Sequence, residues 1–165
     1  MILSYIIIAI LILFDFLLKS FYSGMYALNQ IEVIIPNVLT LGYIRNYGAS
    51  FGMLQDQQMF FFIITLIALA IFGYLFSTSN IKTKKLYTIS LIFLISGTIG
   101  NGIDRLLYGY VIDYIQVPIL PFVGNTFFNL ADALLNIGIA LLFIEFIIEG
   151  IKDYNKKKRE KDGTN

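Results

Sequence analysis

Residues 97–132, GTIGNGIDRLLYGYVIDYIQVPILPFVGNTFFNLAD, join two membrane-length apolar runs, and the polar side chains they carry decide how the whole chain is read. Asp104, Arg105, Asp113 and Asp132 stand here together with Asn101, Asn125 and Asn129. Lipid does not solvate charged or amide groups, so placing them against apolar spans requires either mutual pairing or a chemical use. Asp132 is the hardest of them to treat as structural, because an ionisable group within a span marks function by default.

Working outward, residues 2–21, 59–76, 86–107 and 126–149 form four apolar segments, each near the length of about 20 residues that crosses a hydrocarbon core. Residues 30–52 differ. IEVIIPNVLTLGYIRN is rich in β-branched residues and broken at Pro36-Asn37, which predicts two short strands and a turn, followed by a loop bracketed by Gly48 and Gly52. The expected fold is an all-α membrane protein with four transmembrane helices and a small extracytoplasmic β-subdomain. Residues 1–150 form the membrane domain. Residues 151–165 form a charged tail expected to be disordered. Residues 108–125, with Pro118 and Pro121, read as a loop whose aromatics anchor at the interface. The first segment lacks a basic leader and a small-residue cleavage site, so it reads as a retained helix.

Lys82, Lys84 and Lys85 follow the second segment, and the tail holds a further run of Lys and Arg. Four spans put both regions on one side, which the positive-inside rule makes the cytoplasm, together with the N-terminus. At a rise of about 1.5 Å per residue, Asp15 lies about 20 Å along the first span and Asp132 about 9 Å into the fourth. Asp104 and Arg105 close the third span. These groups therefore share one depth near the outer surface, within reach of Asp113. Helical spacing puts Asn129, Asp132 and Asn136 on one face, and Ser90, Gly97, Asn101 and Asp104 on another. Gly97 and Gly100 would let a neighbouring helix approach. The second span shows no such stripe and reads as scaffold.

The chain has 165 residues, 58% hydrophobic and 14% charged, with no cysteine and no histidine. Disulfides, a Cys nucleophile, a Ser–His triad and a His-ligated zinc site are thereby excluded, and acid–base chemistry must come from Asp, Glu, Lys, Tyr or backbone groups. Taken alone, Asp15 and Lys19 read equally as an interfacial ion pair, Asp104–Arg105 as a salt bridge, and Asn129 and Asn136 as interhelical glue. A small ion or solute transporter with an outer-leaflet charged site is the alternative function.

Five blocks then occur in order: DFLLK at 15–19, RNYGASFG at 45–52, GNGIDR at 100–105, VIDYI at 111–115 and FNLAD at 128–132. Together they resemble the bacterial lipoprotein signal peptidases (signal peptidase II). The resemblance implies a membrane aspartic endopeptidase that removes signal peptides from diacylglyceryl-modified prolipoproteins, cutting before the lipid-bearing cysteine. It implies Asp113 and Asp132 as the catalytic pair, with Asp15, Lys19, Asn46, Asn101, Asp104, Arg105 and Asn129 in support. Phe16, Ser50 and Thr98 depart from the family's usual Gln, Ala and Gly. The expected partners are the prolipoproteins and membrane lipids, with no nucleic acid, cofactor or metal. The expected protein is a monomer in the cell membrane, its active site near the outer surface.

Overall fold

A computed structural model describes residues 2–48, 57–121, 124, 126–161 and 163. The elements run α1 (Ile2–Met25), β1 (Ile31–Ile35), β2 (Leu39–Asn46), α2 (Gln58–Ser77), α3 (Lys85–Tyr108), β3 (Val111–Gln116) and α4 (Leu130–Lys161). All four helices are long and apolar enough to cross a membrane, and the chain is a multi-pass membrane protein with a small three-stranded sheet. The loop expected at 49–52 and the residue Asn125 lie outside the described residues.

α3 is the central helix. It is buried along most of its length, whereas α1, α2 and α4 turn most of their apolar side chains outward. Its sequence explains this. Small and hydroxylated residues let neighbours pack close, and the hydroxyls are satisfied within the helix itself. Ser96 Oγ donates to Ile92 O at 2.7 Å and Thr98 Oγ1 to Leu94 O at 2.7 Å. Gly97 and Gly100 open the surface onto which the start of α4 packs, as the spacing predicts. A Cβ on Gly97 would stand 2.5 Å from Ala131 O. At the opposite end Ile8, Phe76, Leu91, Ile92, Leu94 and Ile95 form the apolar core.

The sheet has the order β1-β2-β3 and both pairs are antiparallel. β1 and β2 are the hairpin expected from IEVIIPNVLTLGYIRN, with Asn37 at φ 58° in the turn. β3 corrects the expectation of a loop over 108–125. Val111, Ile112, Asp113 and Tyr114 are all buried, and β-branched residues in such a setting favour a strand. Gly109, at φ 77°, closes α3 and turns the chain into β3. The reading of one aromatic here is corrected too. Tyr114 is a core residue, stacked on Tyr22 with centroids 4.5 Å apart, not an interface anchor.

Two boundaries also differ. α4 begins at Leu130 rather than near 126, because Asn129 caps it. At the far end the helix continues through Lys156, Lys157, Lys158 and Arg159 to Lys161, where disorder was expected. Lys, Arg and Glu are good helix formers, and extending an existing helix needs no new nucleus.

Substituting Gly97 by Ala forces α3 and α4 apart and should cost about 1–3 kcal/mol. Denaturation in detergent micelles should show this loss, with Gly73→Ala as the comparison, since a Cβ at Gly73 meets nothing within 4 Å.

Candidate active site

Lys19 is 1% exposed, and a buried ammonium must find partners for all three of its N–H donors. It finds them. Its Nζ lies 2.7 Å from Asp15 Oδ2 and 3.0 Å from Asp104 Oδ2, and donates to Asn101 Oδ1 at 3.0 Å. The reading of Asp15 and Lys19 as an interfacial pair is thus corrected to an interior cluster that reaches α3. Asp104 pairs with Lys19 rather than with the adjacent Arg105, and its Oδ2 also accepts from Ile112 N at 3.0 Å, which ties β3 to α3.

The start of α4 is held by two other elements and by its own cap residue. A helix leaves its first N–H groups without partners inside the helix. Leu130 N donates to Tyr114 Oη of β3 at 3.2 Å, and Ala131 N to Asp15 Oδ1 of α1 at 2.8 Å. Asp132 N donates to Asn129 Oδ1 at 2.9 Å, while Asn129 N donates back to Asp132 Oδ2 at 3.2 Å. This reciprocal pair is a capping box built from Asn and Asp. It moves Asp132 into the first turn of α4, so the expected depth of about 9 Å into the span is corrected to about 3 Å. Asn136 is exposed and donates to Asp132 O at 3.0 Å, so it is not interhelical glue.

Asp113 arrives from β3. It pairs with Ile44 of β2, and Asn46, two residues along β2, lies on the same face. Asn46 Nδ2 therefore donates to Asp113 Oδ2 at 3.0 Å. Asn129, fully buried, donates Nδ2 to Asp113 Oδ1 at 2.7 Å, and Asn101 Nδ2 donates to Asp132 Oδ1 at 2.7 Å. Asn129 Nδ2 also lies 3.2 Å from Asn101 Oδ1, which joins the two halves of the network. Each oxygen of the two carboxyls thus has one donor from an amide. A carboxylate oxygen has a second lone pair, which leaves room for a proton, a water or a carbonyl group.

The electrostatics favour a retained proton. Asp15, Asp104, Asp113 and Asp132 outnumber the cations Lys19 and Arg105 by two. Burial, and then the neighbouring charge of Asp132, push Asp113 up to about 8, against the hydrogen bonds from Asn46 and Asn129. Burial likewise raises Tyr114, so its hydroxyl stays neutral while it accepts from Leu130.

Arg105 Nη2 donates to Gly48 O at 3.3 Å, and its guanidinium lies over the Phe61 ring at 4.7 Å. Tyr114 and Phe61 were missed as site residues. The alternation in VIDYI could have signalled Tyr114, whereas nothing distinguishes Phe61 within its apolar run. Among the described residues no three His, Cys, Asp or Glu side chains converge as a metal-binding set. All buried charged side chains among those residues belong to this one cluster, and no charged path crosses the bundle, so the transporter reading gains no support.

A family model described as Signal peptidase (SPase) II matches residues 7–148. The chain belongs to the signal peptidase II family. A lipoprotein signal peptidase of Latilactobacillus sakei is 42% identical over 148 residues, covering 89% of this chain and 95% of that protein. One of Streptococcus agalactiae is 42% identical over 139 residues, covering 84% and 88%. Two solved structures described as bacterial membrane enzymes share the fold. One superposes with a TM-score of 0.78 at 32% identity over 93% of this chain and 90% of its own, the other with 0.76 at 32% over 87% and 91%. The fold of these membrane enzymes thus extends over nearly the whole chain.

Replacing Lys19 with Met leaves Asp15 and Asp104 buried without a cation. Losing one partner of a buried ion pair costs about 3–5 kcal/mol. Equilibrium unfolding in micelles should register a loss of that size.

Proposed function

We propose that this signal peptidase II family member is a membrane-embedded aspartic endopeptidase that removes signal peptides from diacylglyceryl-modified prolipoproteins, cutting before the lipid-bearing cysteine. The observation that carries the reading is the pair of carboxyls, Asp113 and Asp132, joined through the single amide side chain of Asn129 and the backbone N–H of the same residue.

Two carboxyls sharing one proton can hydrolyse a peptide without histidine, cysteine or metal. Asp113, which retains its proton at neutral pH, donates a hydrogen bond to the scissile carbonyl. Asp132 takes a proton from water as the water oxygen attacks the carbonyl carbon, and the Asp113 proton passes to the carbonyl oxygen. In the collapse, the C–N bond breaks. The proton held by Asp132 goes to the leaving nitrogen, and a hydroxyl proton of the intermediate returns to Asp113. Amides suit the surrounding positions, because they orient both carboxyls without the full positive charge that would keep Asp113 ionised.

Lys19, Asp15 and Asp104 hold the framework. Asn101, Asn129 and Asn46 orient the pair, and Arg105 meets the substrate backbone. The basic loop between α2 and α3 and the basic end of α4 support an orientation with both chain ends in the cytoplasm and the site near the outer surface of the cell membrane. The lipid on the substrate cysteine lies among the apolar outer faces of the helices, which explains why the protease is embedded. The protein acts as a monomer with membrane lipids around it, and nucleic acid plays no part.

Asp113→Asn and Asp132→Asn should each abolish cleavage of a lipidated prolipoprotein in liposomes while the protein stays folded, as read from a gel shift of the substrate. Wild-type turnover in either variant would overturn the pair. The pH profile gives a separate check. A raised Asp113 keeps the shared proton up to about pH 8, so cleavage should fall as pH rises through that value. Asn46 lowers the Asp113 value by bonding its charged form, so Asn46→Ala should move this alkaline limb to higher pH.

A further inference from the structure

α2 buries only two side chains among its described residues, Phe61 and Phe76, one near each end. Phe76 packs into the apolar core. Phe61 belongs to neither hydrophobic cluster, yet it is 8% exposed, and its ring lies beneath the guanidinium of Arg105, 4.7 Å from Cζ to centroid. One helical turn earlier, Gln58 Nε2 donates to Tyr47 O at 3.4 Å. Arg105 Nη2 reaches the next carbonyl along, Gly48 O. The first turn of α2 and Arg105 therefore grip two consecutive carbonyls of the segment that follows Asn46.

The hydrogen bonds of Arg105 are too long to hold it by themselves. Nη2 to Gly48 O is 3.3 Å and Nη1 to Asn101 O is 3.5 Å, and neither of the ion pairs among the described residues involves it. Asp104, its neighbour in sequence, is occupied by Lys19. A long side chain in that position has considerable freedom to lose. The face of an aromatic ring supplies what is missing, because it attracts a guanidinium by its quadrupole and presents it a flat surface. Both long bonds end beside the carboxyl pair, since Asn101 donates to Asp132, and Gly48 N donates to Asn46 Oδ1 at 3.0 Å, whose amide donates to Asp113.

We propose that Phe61 is a positioning residue for prolipoprotein cleavage: its ring seats the Arg105 guanidinium beside the Asp113–Asp132 pair, ready for the backbone of the substrate. α2, which shows no polar stripe, thus contributes to the site through an apolar side chain. The inference rests on the proteolytic reading above and deepens it.

The test measures kcat and KM on a lipidated prolipoprotein in liposomes for Phe61→Leu, Phe61→Tyr and Arg105→Lys, and for Phe61→Leu combined with Arg105→Lys. Loss of the ring face should lower kcat/KM about five- to thirty-fold in Phe61→Leu, with the melting temperature in micelles little changed. Phe61→Tyr, which keeps a ring face, should recover most of that loss. The leucine substitution should cost much less once Arg105 is already Lys. Wild-type kinetics in Phe61→Leu, an equal loss in Phe61→Tyr, or full additivity in the double variant would each overturn the inference. Cleavage that persists at the wild-type rate in Asp132→Asn would instead overturn the carboxyl-pair reading, while the double-variant cycle on kcat/KM would still decide whether Phe61 acts through Arg105.

Discussion

The structure depends on a single ammonium group. Lys19 sits inside the bundle with three donors and three acceptors, two of them carboxylates and one an amide. A lone charge in such a place would carry a desolvation penalty of several kcal/mol, and only complete pairing offsets it. Each of its acceptors also has a second task. Asp15 holds the N-terminus of α4, Asp104 holds β3, and Asn101 reaches Asp132. A one-turn shift of α1 would break the bonds of Lys19 to Asp104 and Asn101 and that of Asp15 to Ala131 N together, so this cluster sets the register of α1 against α3 and α4 at the end that holds the site.

The carboxyl pair inherits its geometry from two sources that are rigid for different reasons. Asp132 is fixed by the first turn of a helix whose free N–H groups are taken by Tyr114, Asp15 and Asn129. Asp113 is fixed by strand register, since its pairing with Ile44 puts Asn46 on the same face. Between them stand amides, not cations. That choice matters chemically, because a lysine in the place of Asn129 would favour the ionised form of both carboxyls, whereas an amide leaves room for a retained proton. Lys19 is joined to the pair by hydrogen bonds through Asn101, and its charge also acts on Asp113 from a distance, opposing the upward push of burial.

α3 connects these parts. Its small residues admit two helices closely: a Cβ on Gly100 would stand 2.7 Å from Asp15 Oδ2 of α1 and 3.2 Å from Ala131 Cβ of α4. Its last turns carry Asn101, Asp104 and Arg105 to one end of the bundle, and Gly109 then bends the chain so that Asp113 returns to the same place. The basic extension of α4 and the loop before α3 lie at the other end.

By itself the sequence determined the class of protein and most of its parts. Membrane-length apolar runs, the absence of histidine and cysteine, and the spacing of Asn101, Asp104, Asn129 and Asp132 were legible because helix periodicity and lipid insolubility act on local sequence. The hairpin of β1 and β2 was legible for the same reason. Tertiary structure alone decided the rest. Lys19 pairs with Asp104 across 85 residues as well as with Asp15 one turn away, and the chain gives no sign of the distant partner until α1 and α3 are packed. β3 becomes a strand because β2 offers it an edge, and α4 starts at Leu130 because Asn129, Asp15 and Tyr114 converge on its free N–H groups. Phe61 lies in an unbroken apolar run and acquires a role only when Arg105 comes to rest on its ring. The physical reason is common to all four: a buried polar or charged group is defined by the partner that satisfies it, and those partners lie far away along the chain.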